Sequence, residues 1–279
     1  VSQTSSSSSS SSASSPQVRP KAGSLWQKWL PYLAAVGSLL AIWQIAAFFL
    51  PAYLLPDVPD VFVRLFGSMN DAEFTDGIQS SLLRLAWGYP IACLFGAALG
   101  LIAGVSQAFA VYLRSLISIL QAIPPITWVP FFVILLGFGN ATIITVIVIA
   151  SFFPMALSVL NATEGVNRTH LELARVLGAN KLQLLTKVFA PESLPAFVTG
   201  AQVAFGNAWR SLIAAEMVGG AAIGLGYYSR WRGEVADMEG VLMSILVIGT
   251  IAAVLDLVLL EWLKRRLLRY RYVKTGGAE

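Results

Sequence analysis

Apolar residues come in long runs along this chain, and the polar residues gather between them. The runs at 30–50, 80–104, 114–137, 141–160, 195–218 and 241–263 each approach the ~20 residues a helix needs to cross a bilayer core. The stretch ATIITVIVIASFFPMALSVL is rich in β-branched residues, which would suit a strand in water. Its length and lack of charge favour a membrane helix, because backbone groups in lipid must bond within their own segment. The pattern predicts an all-α membrane protein with six transmembrane helices. In the second run Gly96, Gly100 and Gly104 recur every four residues, a smooth stripe against which another helix can pack closely. In the third run Pro124, Pro125 and Pro130 free several carbonyls and predict a kink or break. Broken helices can line a solute path.

One stretch departs from this pattern. HLELARVLGANKLQLLTKVFAPESLP, residues 170–195, is polar and helical in character, yet apolar runs flank it on both sides. Thr169 and Glu172 stand in the spacing of a capping box, and Asn180 and Gln183 repeat it in a looser form. Gly178 lies between them, where a helix commonly ends on a left-handed residue. Pro191 is expected to close the second segment. The spacing predicts two short helices over 170–177 and 181–189, with an apolar side formed by Ala174, Leu177, Leu185 and Val188. Such helices lie at the cytoplasmic membrane face and suit a docking knob for a cytoplasmic partner.

Composition agrees with the pattern. Of 279 residues, 56% are hydrophobic and 12% are charged, against about 25% charged in soluble domains. Mean hydropathy is +0.70. One cysteine, Cys93, excludes an internal disulfide and a cysteine-based metal site, and one histidine, His170, excludes a histidine cluster. Net charge is +4, but the basic residues are placed in bands rather than on a nucleic-acid face. They concentrate at 19–28, at Arg114, at 168–187 and at 264–274, while acidic residues gather at 57–76 and 234–239. The positive-inside rule then puts both termini in the cytoplasm. Residues 1–24 form a serine-rich tail that should be disordered. It lacks the apolar core of a signal peptide, and the first apolar run is expected to remain as a signal anchor.

The spacing E-L-A-x-x-x-G, nine residues, then V-x-A-P, from Glu172 to Pro191, resembles the EAA loop of permease subunits in bacterial ABC importers. Glu172, Ala174, Gly178 and Pro191 match that pattern in type and spacing, while Leu173, Val188 and Ala190 depart from it. The resemblance covers about 60–265. AIPPITWVPFFVILLGFG and AAEMVGGAAIGLGY look like the branch that imports nitrate, aliphatic sulfonates, taurine and bicarbonate. It implies a type I importer permease fold, with residues 25–279 as the transmembrane domain and a coupling loop at 161–195. The implied partners are a cytoplasmic ATP-binding subunit, a second permease copy, a periplasmic solute-binding protein and the lipid bilayer of the inner membrane.

No G-x-x-x-x-G-K-[ST] loop is present in the sequence. ATP and Mg are therefore expected to be used by the partner subunit, with no cofactor or metal bound by this chain and no nucleic acid as partner. An ion-coupled secondary transporter is the competing reading. It calls for an inverted repeat and mid-membrane ionisable residues. No repeat is visible, and Arg84, Arg210 and Asp256 are the ionisable residues weighed within the runs. A membrane enzyme is weaker still, since no catalytic set is present. The candidate path residues are Arg84, Arg210, Glu216, Pro124 and Pro125. Arg210 and Glu216 are six residues apart, about 240° around one helix, so they are not expected to neutralise each other. Arginine holds its charge and forks onto oxyanions, which would give the path a positive potential.

Overall fold

The structure, a computed structural model, describes residues 25–267. The serine-rich tail and the basic residues from 268 onward lie outside the described residues. The elements in chain order are α1 (Leu25–Phe49), α2 (Val58–Ser68), α3 (Ala72–Gly104), α4 (Gln107–Gln121), a 3₁₀ turn (Pro125–Trp128), α5 (Val129–Leu136) and α6 (Asn140–Glu164). They continue with α7 (Arg168–Val176), α8 (Lys181–Leu184), a π turn (Leu185–Phe189), α9 (Ala190–Ala215), a second π turn (Glu216–Gly220), α10 (Leu225–Glu234) and α11 (Met238–Leu267). No strand occurs among the described residues. All six apolar runs fall on helices. By length and hydropathy, three helices among the described residues could cross a membrane: Ala72–Gly104, Asn140–Glu164 and Met238–Val258. The bent pair Gln107–Gln121 and Pro125–Leu136 makes a fourth if it counts as one span.

The middle of the bundle is α3, α6 and α9. Helices in lipid gain little from burying apolar surface against each other, so close van der Waals contact must hold them. The glycine stripe provides that contact. A Cβ on Gly96 would stand 2.7 Å from the Phe152 carbonyl oxygen, and one on Gly100 would stand 2.6 Å from that of Ala156. The stripe is therefore a packing seam between α3 and α6. Gly200 does the same for α9, where a Cβ would lie 2.7 Å from Cβ of Ser158. Around the seams Ile143, Ile147, Met155, Leu160, Leu212 and Met243 are fully buried.

The predicted break in the third run is real. α4 stops before Pro124, and the axis turns by 82° into the 3₁₀ turn and α5. The carbonyl of Pro124 is satisfied at the bend by Thr127, whose backbone N–H and side-chain hydroxyl both donate to it, at 3.0 and 2.7 Å.

Candidate functional site

The polar stretch folds as the helix pair its spacing predicts, with three corrections. The first helix is capped by Asn167, whose side chain accepts from the Thr169 N–H at 2.9 Å. Thr169 therefore lies inside α7, and the expected Thr169–Glu172 capping box does not form. Glu172 is exposed and makes no side-chain bond among the described residues. The second box does form, with Asn180 and Gln183 exchanging two bonds of 2.8 Å each. Gly178 has φ +78. Its N–H donates to the Arg175 carbonyl, and the Ala179 N–H donates to that of Ala174. This is the double bond pattern of a Schellman stop, whose left-handed residue favours glycine. The second correction concerns Pro191, which does not end a helix. The π turn runs straight into α9, with the Ala190 N–H bonded to the Leu185 carbonyl five residues back. Widening one turn accommodates a proline that cannot donate and whose ring would otherwise crowd the carbonyl four residues before it.

Val166, Leu184 and Phe189 are the buried residues of this unit, and Ala174 and Val188 pack against them, as do Leu101 and Val105 at the end of α3. Leu177, expected on the packed side, is 77% exposed. It shares one face of α7 with Leu173 and with Val176, which is 83% exposed. Leu182 is exposed beyond the turn. His170 binds Glu192 at 2.5 Å and so ties α7 to the first turn of α9.

Within the bundle the two arginines have different surroundings. Arg84 is 6% exposed. Its guanidinium donates to Glu216 at 2.5 Å, to the Asn140 side chain at 2.8 Å and to the Ile223 carbonyl at 2.8 Å. Glu216 is fully buried and also accepts from the Ser81 hydroxyl at 2.8 Å and the Gly226 N–H at 2.9 Å. The Leu225 N–H closes the ring by donating to Ser81 Oγ. The backbone folds over the carboxylate because Gly224 and Gly226 lack side chains: a Cβ on Gly224 would stand 2.5 Å from the carboxyl carbon of Glu216.

Arg210 is exposed and donates only to Asn207 among the described residues, at 3.2 Å. Its side chain lies back over Gly206, 3.5 Å from where a Cβ would sit. It lines a groove of about 550 Å³ between α9 and α11, together with Gln202, Trp209 and Asp256. As expected, Arg210 and Glu216 do not meet. Pro125 lines a second cavity of about 260 Å³ that also reaches Asn207, whereas Pro124 sits at the bend itself.

Residues 96–269 match a family described as the binding-protein-dependent transport system inner membrane component. The match spans more than half of the chain. The chain belongs to this family. It is similar to the taurine transport system permease protein TauC of Escherichia coli, 32% identical over 242 residues, covering 84% of this chain and 87% of that one. It is also similar to the putative aliphatic sulfonates transport permease protein SsuC of Bacillus subtilis, 27% identical over 261 residues, covering 93% and 94%. A third relative is the nitrate import permease protein NrtB of Leptolyngbya laminosa, 28% identical over 234 residues, covering 81% and 84%. These bear out the resemblance to the nitrate, sulfonate, taurine and bicarbonate branch of ABC importer permeases.

Several residues around these permease sites escaped the sequence reading. Ser81 stands three residues before Arg84 and shares its helix face, a signal that was available. Asn140 and Gly226 carry no local signal, because they meet Arg84 and Glu216 only through the fold. Asn167, two residues upstream of Thr169, is itself of a strong capping type.

Proposed function

We propose that this permease is the transmembrane subunit of an ATP-driven importer. It forms, with a second copy, the path for a small anion of the nitrate, sulfonate, taurine or bicarbonate class, delivered by a periplasmic binding protein. It crosses the inner membrane six times, through α1, α3, the α4–α5 pair, α6, α9 and α11, with both termini in the cytoplasm. A separate ATP-binding subunit uses ATP and Mg, and this chain binds no cofactor, metal or nucleic acid. Arg210 is the foremost path residue, Pro124 and Pro125 shape the bend beside it, and the buried Arg84–Glu216 pair braces the connection that borders the path.

The observation that carries this reading is the 168–189 helix pair. It is polar, doubly capped and packed on one side, yet it exposes Leu173, Val176, Leu177 and Leu182. Exposed apolar side chains on one face of a fixed element suit burial against a partner protein. Here the partner is the ATP-binding subunit. Ala174 packs the first helix, Gly178 sets the angle between the two, Pro191 starts the helix that carries the motion into the bundle, and exposed Glu172 faces the partner.

Gly178→Val tests the docking. A β-branched residue held at φ +78 is strained by about 1–2 kcal/mol. Capture of the ATP-binding subunit and ATP-driven uptake should both fall severalfold, while membrane insertion stays intact. Full capture with full uptake would sink the docking assignment.

A further inference from the structure

The groove between α9 and α11 carries two opposite charges, Arg210 on one wall and Asp256 on the other. Among the described residues, neither takes part in an ion pair. Arg210 uses one donor, at 3.2 Å to Asn207, and a guanidinium has five. Asp256 has no hydrogen-bond donor among the described residues, and Gln202 adds an amide that can both donate and accept. Among the described residues the buried indole N–H of Trp209, on the same wall, also has no partner. Ionisable side chains within a membrane segment face protein or water rather than lipid. This face of the bundle is therefore the side of a solvated path or of a second copy.

The pairing of charges restricts the solute. A simple monoanion suits Arg210 but brings a second negative charge into the groove that holds Asp256, where a low dielectric strengthens repulsion. A molecule with an oxyanion at one end and an ammonium at the other satisfies both walls. The lining of α9 from Gln202 to Arg210 extends about 12 Å at 1.5 Å per residue. The Arg210 head lies back over Gly206, which shortens the usable length. We propose that the groove is a solute subsite selective for a short zwitterion. Its sulfonate or carboxylate forks onto Arg210, and its ammonium meets Asp256. This rests on the importer reading and narrows its solute class from anions in general to amino-bearing oxyanions.

The test uses the permease assembled with its ATP-binding subunit in lipid nanodiscs. Saturation-transfer NMR measures binding of 2-aminoethanesulfonate and of ethanesulfonate, which lacks the amine. The amino compound should bind at least ~10-fold more tightly, a difference of about 1.4 kcal/mol. Asp256→Asn should remove that preference, weakening the amino compound and tightening ethanesulfonate as the repulsion is lifted, and Arg210→Gln should weaken both. Equal affinities in the unmodified complex overturn the proposal without any variant. So does a preference that survives Asp256→Asn, or no binding of either compound, as when a second copy neutralises the two charges. ATP-driven uptake in proteoliposomes with the binding protein judges the importer reading separately. Absence of ATP dependence sinks that reading, whereas ATP-dependent uptake beside flat binding sinks only the subsite.

Discussion

Arg84 and Arg210 raise the same question in the sequence, an arginine inside an apolar run, and the fold answers it in opposite ways. Arg84 is sunk among α3, the start of α6, the turn after α9 and the segment leading into α10. Its charge is matched by Glu216, and two further bonds go to Asn140 and a backbone carbonyl. Arg210 is exposed on α9 and holds one bond of 3.2 Å to a neighbour on its own helix. The first is a clamp that fixes the 216–226 connection against α3. The second makes no ion pair among the described residues, and its proposed solute role rests on that. An intramembrane charge therefore does not by itself mark a transport residue. What matters is whether the chain has already used its hydrogen bonds.

This contrast can be broken most forcefully at Glu216. Glu216→Ala leaves a buried, unpaired guanidinium, and the expected loss is about 3–5 kcal/mol. Thermal melting in detergent should show it as a collapse of the folded fraction. The double variant Arg84→Met with Glu216→Leu should recover part of the loss, since removing both charges also removes the desolvation cost. Recovery stays partial because Ser81, Asn140 and the Gly226 N–H lose their partners. A Glu216→Ala protein that melts like the parent would end the clamp assignment.

Asn140→Ala probes the same site more gently. It removes the acceptor for Arg84 Nε, and a hydrogen bond to a charged group is worth about 1.5–3 kcal/mol. The melting midpoint should drop measurably with the ion pair still in place. Arg210→Gln should do the reverse in kind. Stability should stay within about 0.5 kcal/mol, as for most surface substitutions, and the complex should still assemble. ATP-driven uptake of an oxyanion solute should fall about 10-fold, equal to ~1.4 kcal/mol of transition-state or binding energy. If Arg210→Gln instead collapses the fold with no selective loss of uptake, the two arginines belong to one structural class and the contrast fails.

Much of the architecture is legible because it is local. Six apolar runs fall on helices, and the break after Gln121 follows from Pro124 and Pro125 alone. The Asn180–Gln183 box and the Gly178 stop depend on residues within five positions of each other. The local reading failed where two local signals competed. Asn167 and Thr169 are both good caps, and the earlier one won. Pro191 reads as a helix end, yet a single π turn before it lets the helix continue. Leu177 was misplaced because the apolar face of α7 is split between the bundle and the outside, a division that periodicity alone does not draw.

The elements and the capped helix pair can be read along the chain, since backbone bonds in lipid and caps in water are both made within a few residues. The sequence also carried the EAA spacing and the glycine stripe, though not that the stripe meets the carbonyls of Phe152 and Ala156. Which charges find a partner among the described residues depends on how the helices pack. Arg84 and Glu216 are 132 residues apart in the chain, and no local periodicity relates them. Arg210 and Asp256 come to face one groove only because α9 and α11 pack as neighbours. A charge can be placed in a span by reading along the chain, but its partner is set by which helices the close-packed seams bring together.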